Sequence, residues 1–253
     1  LMKYENNSQI KVINLGMNSS EIRYLKENFN IQISEFDFDN NPIFLKERDE
    51  FNKLGSYAWK PISIYREFIE STKNIIWLDA GCLITRNLNL LKLIIKKNGF
   101  YSPQSSDTIK RWTHPQTLKA LDTNEKVYKK RNVSGGIVGF AINSEKMKDL
   151  LLDWNEFSLR KEVIAPKGSN RLNHRQDQAI LSVLIHQHGV SRLTPRTHKI
   201  FGILRHQDNE NFKYIKWNFS STIFNILMKL ASQYFYNIHK NEISKYIKSD
   251  TEY

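Results

Sequence analysis

The run Ile75-Ile76-Trp77-Leu78-Asp79-Ala80-Gly81 constrains this chain more than any other stretch. Four apolar residues, short and flanked by helical patterns, read as a central parallel strand buried on both faces. A lone carboxylate follows at once, and two small residues come after it. Aspartate suits a strand interior poorly, so Asp79 is expected at the strand's C-terminal end, where open α/β sheets bind their ligands. A second reading stays open: Asp79 caps the next turn and Ala80-Gly81 only makes the bend.

The flanking segments alternate in the same manner. Gln9 to Leu15 reads as a strand, and Gly16 breaks it before Ser19-Ser20-Glu21, where a serine cap opens a helix through Asn28. Ile31 to Phe38 alternates as a second strand, and Pro61 suits the first turn of a helix bearing Ile62, Tyr65, Phe68 and Ile69 on one face. The order predicts parallel pairing through helical crossovers. Leu88 to Lys97 is a short amphipathic helix, and Phe100 begins another strand. Ser102 to Asn132 is polar and basic, a long excursion expected to lie over a site. Val133 to Asn143 reads as a strand carrying the pair Gly135-Gly136, which predicts close approach by a ligand or another backbone. Met147, Leu150, Leu151 and Trp154 form a core stripe on a helix from Glu145 to Phe157, capped by Ser144. Asp177 to His186 is a second apolar helix. Phe219 to Tyr246 reads as a basic helical region.

Composition narrows the function classes. The 253 residues carry a net charge of +12, which predicts attraction to nucleic acid, anionic lipid or phosphorylated small molecules. Cys82 is the single cysteine, so an intrachain disulfide and a cysteine-rich metal site are excluded, in keeping with a reducing compartment. No run of 18 apolar residues occurs, and Leu1 to Asn7 lacks the apolar segment of a signal peptide. The expectation is a cytoplasmic protein, attached at most to a membrane surface.

Four stretches combine small and polar residues at strand ends or loops: Trp59-Lys60, Asp79-Ala80-Gly81, Ser134-Gly135-Gly136, and His174-Arg175-Gln176-Asp177-Gln178. Together, from about residue 9 to 206, they resemble the glycosyltransferase A (GT-A) fold. IIWLDAG resembles the strand that ends in that fold's Asp-x-Asp metal motif. VSGGIVGFAIN and DQAILSVL resemble a strand and a helix of galactosyltransferase family 8. YAWKP, WTHP, SGG and APKGSNRLNHRQDQAILS are similar to a group of largely uncharacterised domains related to that family. The resemblance implies an α/β fold with a mostly parallel central sheet flanked by helices, a catalytic unit over 1–215 and a helical extension over 216–253. Family members usually have a further β-α unit ahead of the stretch matching Gln9 to Leu15, where eight residues stand here. That leaves either a fragment or a first strand supplied differently.

The resemblance also implies transfer of a sugar from a nucleotide sugar to a glycan or lipid-linked acceptor. Breaking the donor's glycosidic bond leaves negative charge on the diphosphate, which a divalent metal or cationic side chains must stabilise. Asp79 would hold Mn²⁺ or Mg²⁺, with His206 or His198 as partner. Gly81 replaces the family's second aspartate, so the alternative is a lost metal, with Lys60 or Arg175 neutralising the diphosphate. Lys60 has a plain reading too, its stem covering Trp59 while the ammonium stays wet. Asp79, Ala80, Gly81, Lys60 and Arg175 are thus the expected donor residues, and Ser134, Gly135, Gly136, His114 and His174 the sugar or acceptor residues. Asp177 as general base predicts inversion of configuration, and Gln178 supporting the anomeric centre predicts retention. Lys229, Lys240, Lys245 and Lys248 beside an apolar face suit an anionic membrane interface, or equally a helix packed on the domain. The rivals are a catalytically silent relative and a nucleic-acid binder. The latter lacks any aromatic-basic or helix-turn-helix motif, so no nucleic-acid partner is expected.

Overall fold

A computed structural model describes residues 4–5, 7–49, 52, 54–190 and 198–205. The expected basic helix over 219–246 and His206 lie outside the described residues. Strand β1 (Lys11–Asn14), helix α1 (Ser19–Asn28) and strand β2 (Gln32–Glu35) form a β-α-β unit with the two strands parallel. The residue closing the front of α1 is Asn18 rather than a serine. Its side chain accepts from the amides of Ser20 and Glu21 while Glu21 reaches back to the Asn18 amide, satisfying donors that a helix start leaves open. After two short 3₁₀ turns comes α2 (Trp59–Glu70), with Pro61 in its first turn. It buries Ile62, Ile64 and Phe68, while Ile69, expected on that face, is exposed.

Strand β3 (Ile75–Leu78) forms as expected and ends just before Asp79, but the sheet around it is not parallel. Strand β4 (Leu83–Ile84) and helix α3 (Asn89–Asn98) lead to β5 (Phe100–Tyr101). The region 102–132 is not an open loop. It folds as β6 (Gln104–Thr108), the short helices α4 (Ile109–Trp112), α5 (Pro115–Ala120) and α6 (Glu125–Tyr128), and β7 (Arg131–Val133), with β6 and β7 antiparallel. This excursion reverses the chain, so the next strand, β8 (Ile137–Phe140), enters between β3 and β5 and runs antiparallel to both. Among the described pairings of strands only β1 with β2 is parallel. The expected mostly parallel central sheet is therefore corrected to a mixed α/β fold with small, mainly antiparallel sheets.

The correction has a physical cause. An apolar run reports burial, whereas strand direction depends on where the partner strand arrives from. Every residue of β8 is buried while those of β3 are only partly so, which makes β8 the true centre of the sheet. Behind it lie α7 (Glu145–Ser158), α8 (Lys161–Ile164) and α9 (Gln176–Gln187). Met147, Leu150, Leu151 and Trp154 of α7 are buried as their spacing predicts, with α2 and α9 packed against them. From Ala179 to Ile185 α9 is buried on all sides, so it is a core helix whose N-terminus is held at the sheet. Strand β9 (Ile203–Leu204) pairs antiparallel with β4.

Candidate active site

The sheet, α2 and α9 bring one residue each to a common point. Lys60 lies in the first turn of α2, where its buried neighbours leave its side chain only 5% exposed. Its ammonium sits 3.1 Å from Asp79 Oδ1, 3.2 Å from Asp177 Oδ2 and 3.3 Å from the carbonyl of Gly135. Asp79 hangs from the end of β3, and its amide donates to the Gly136 carbonyl at 2.9 Å. Asp177 stands in the first turn of α9, with Trp154 donating its indole N–H to the Asp177 carbonyl at 2.9 Å. Thus α7 pins the start of α9 at the sheet.

The glycine pair turns out to make room for carboxylates. A β-carbon on Gly135 would lie 2.9 Å from Asp177 Oδ2, and one on Gly136 would lie 2.8 Å from Asp79 Oδ2. The close approach expected from Gly135-Gly136 is therefore made, among the described residues, by Asp177 and Asp79. Ser134 braces this corner. Its hydroxyl accepts from the Gly136 amide at 3.3 Å, and its carbonyl accepts from the buried Ser102 hydroxyl at 2.7 Å.

One ammonium facing two carboxylates leaves a formal charge of −1. Burial opposes the charge on Lys60, yet Asp177 and Asp79 outweigh it and hold the ammonium's pKa above its ordinary value. Burial also raises the pKa of Asp177; the charge of Asp79 adds to this, and Lys60 offsets it in part. Such a group persists in a protein interior only because each charge is paired. The two aspartates differ in access, at 6% exposed for Asp177 and 38% for Asp79. Asp79 Oδ1 accepts the Trp77 indole N–H at 2.9 Å as well as facing Lys60, while Oδ2 lies 3.5 Å from the ammonium. Asp79 is thus the more accessible carboxylate of the two. Trp77 could have been read from the sequence, since residues two apart on a strand share a face.

Strained backbone flanks both ends of the cluster. Ser56 and Tyr57 have φ of 48° and 65°, and Gln176 has 40°, all in the left-handed region and none of them glycine. Each costs about 1–3 kcal/mol, a cost tolerated mainly where function fixes the conformation. Tyr57 brings its ring to 5.5 Å from the Lys60 ammonium, and burial followed by the charge of Asp177 raises its phenol pKa. Ala80 and Gly81 form the exposed turn after Asp79, closed by the Cys82 amide donating to the Asp79 carbonyl at 2.8 Å. Burial and then the Asp79 charge push the Cys82 thiol up to about 11, so it stays protonated and inert.

Among the described residues no group of three His, Cys, Asp or Glu side chains converges to hold a metal ion. The open face of Asp79 is shared with a lysine ammonium, Gly81 supplies no side chain, and His206 lies outside the described residues. His198 is buried and does not join such a group. Among the described residues the donors assemble no Mn²⁺ or Mg²⁺ site, and the expected pairing of Asp79 with His206 falls partly outside them.

The other expected residues form a separate group. His174 is fully buried; its Nδ1 accepts from the His114 amide at 3.2 Å, and its Nε2 pairs with the Ile164 carbonyl at 2.9 Å. Burial above all pushes its pKa down to about 4, so it serves as a neutral strut between α8 and the front of α5. His114 caps α5 through its ring, accepting from the Gln116 amide. Arg175 leaves Lys60 and stacks on Trp112 instead, its guanidinium carbon 4.1 Å from the ring centre.

No family model matches this chain, and no curated protein does. Among solved structures it is similar to the apo structure of the WbbM bifunctional glycosyltransferase, with TM-score 0.43 and 11% identity. The match covers 78% of this chain and 34% of that one, so the chain spans about a third of its length. The likeness is distant. At that level it assigns neither fold nor activity.

Proposed function

We propose that the chain is a GT-A-like glycosyltransferase that moves a sugar from a nucleotide diphosphate donor to a hydroxyl of a glycan or lipid-linked acceptor. The observation that carries this reading is the meeting of Lys60, Asp79, Gly135-Gly136 and Asp177, from four separated stretches, at one corner of the sheet. A set of chance caps would have no reason to converge on a buried ammonium.

In this reading Lys60 organises the site rather than touching phosphate, because both of its carboxylate partners are already within ion-pair distance. It fixes the two aspartates relative to each other. Asp79, the more exposed of the two, accepts hydroxyl hydrogens of the donor sugar. Asp177 and Gln178 stand beside Gly135 at the start of α9 and act at the reacting carbon. Asp177, held in place against Lys60, stabilises positive charge on the sugar ring as the bond to phosphate breaks. Gln178, partly exposed, contacts the sugar from the same edge.

No helix among the described residues is long and apolar enough to cross a membrane. Cytoplasmic placement and peripheral attachment through 216–253 belong to this proposal, as does the lipid-linked acceptor. Isothermal calorimetry with a panel of UDP- and GDP-sugars, with Mn²⁺ or with EDTA, tests it. Binding of at least one nucleotide sugar, weakened about tenfold or more by Asp79→Asn, is expected. Absence of binding under every condition overturns the enzyme and favours the silent relative, which Gly81 already suggests.

A further inference from the structure

The side of the molecule formed by the excursion and the loop before α9 carries cations that form no ion pair among the described residues. Arg111 and Arg175 both lie on the Trp112 ring, at 4.7 and 4.1 Å from its centre. The main chain locks this arrangement: the Arg175 amide donates to the Trp112 carbonyl at 3.1 Å, and the Trp112 indole N–H donates to the Ser106 carbonyl at 2.9 Å. Arg111 donates to the carbonyl of Leu172, the residue after Arg171 in the chain. The charges of Arg171 and Arg111 both act on Arg175, whose pKa is lowered first by its burial and then by them. Arg171 also acts on Tyr57, whose ring faces Lys60. None of the three arginines has a carboxylate partner among the described residues.

We infer that Arg111, Arg171 and Arg175, organised by Trp112, form a binding site for the phosphate groups of a small-molecule ligand, next to the Lys60 cluster. Three guanidiniums gathered without a counter-charge repel one another, and an anion relieves that repulsion. Guanidinium is the side chain whose planar donor fork matches phosphate oxygens in pairs, and stacking on an indole leaves the fork's edge free. Lys60 is unsuited to the task because Asp79 and Asp177 hold it. The phosphate comes from the donor's nucleoside diphosphate or from a phosphorylated acceptor, and the site's chemistry is the same for both. This inference rests on the proposed transferase reading for the ligand's identity, while the site itself does not require it.

The test uses the full chain and inorganic pyrophosphate, read by calorimetry and by thermal shift. Wild type is expected to bind pyrophosphate and to melt higher in its presence. Arg171→Gln with Arg175→Gln should weaken binding on the order of a hundredfold, and Arg23→Gln, which removes one positive charge from the exposed face of α1, should leave it unchanged. Equal pyrophosphate affinity in the double variant, or equal loss in Arg23→Gln, overturns the site. Competition then separates the sources. Displacement by UDP or GDP places the donor's diphosphate there, and displacement only by a sugar phosphate places the acceptor's phosphate there. Displacement by neither overturns a site for a substrate phosphate. Pyrophosphate binding lost in the arginine variant, alongside a chain that turns over no nucleotide sugar, would sink the transferase reading and leave this site standing.

Discussion

Two charged clusters sit on adjacent parts of this molecule and are built on opposite plans. Around Lys60 one cation meets two carboxylates, all but Asp79 are buried, and the sum is −1. Around Trp112 three guanidiniums gather with no carboxylate among the described residues, and the sum is +3. A closed pair of charges is costly to break but has little capacity left for a ligand. An uncompensated group is held open by the fold and has all its capacity left. The contrast assigns structure-keeping and sugar contact to the first cluster, and anion capture to the second.

The largest effect should come from breaking the closed cluster. Lys60→Met removes the counter-charge that Asp177 has among the described residues, and breaking a buried pair from one side costs about 3–5 kcal/mol. Urea unfolding should show that loss, and adding Asp177→Asn to the same chain should recover part of it. Equal stability of Lys60→Met and wild type would mean that the ammonium is not what holds the two aspartates. Acid should act next, through His174, the neutral ring that ties α8 to the front of α5. Its pKa is near 4 in the fold and about 6.5 when unfolded, so the unfolded chain takes up the proton first. The His174 contribution is complete above pH 6.5 and is lost as pH falls toward 4, by roughly 3 kcal/mol in total. Calorimetric melting across that window should show a steeper decline for wild type than for His174→Asn. Smaller again are the effects of Gly135→Ala and Gly136→Ala, about 1–3 kcal/mol for intruding on packed neighbours. Gly135→Ala should be the worse of the two, since Asp177 is buried and Asp79 can swing toward solvent.

Much of the closed cluster was legible in the sequence, because strand and helix ends are marked by changes of residue type. Asp79 after four apolar residues, Lys60 beside Pro61 and Asp177 opening an apolar helix all fell where expected. What could not be read was who faces whom. The glycine pair announced close approach but not that the approaching groups are Asp79 and Asp177. Strand direction was equally hidden: IIWL and GIVGF are apolar whichever way their partners run, and the reversal through β6 to β7 decides it. Arg111, Trp112 and Arg171 stand in stretches that the sequence marks, but their grouping is not readable there because a stacked arginine and a solvated one look alike in sequence. Arg175 stands out in the sequence as a donor residue, whereas its stacking on Trp112 does not.

The central claim is that the half-exposed carboxylate beside Lys60 handles an activated sugar. The direct measurement is the rate of nucleotide-sugar hydrolysis or transfer by wild type and by Asp79→Asn, with melting temperature recorded for both. The expected result is a rate at least about a hundredfold lower in the variant, as for loss of a charge placed against the reacting group, with melting little changed. Equal rates in the two proteins would contradict it.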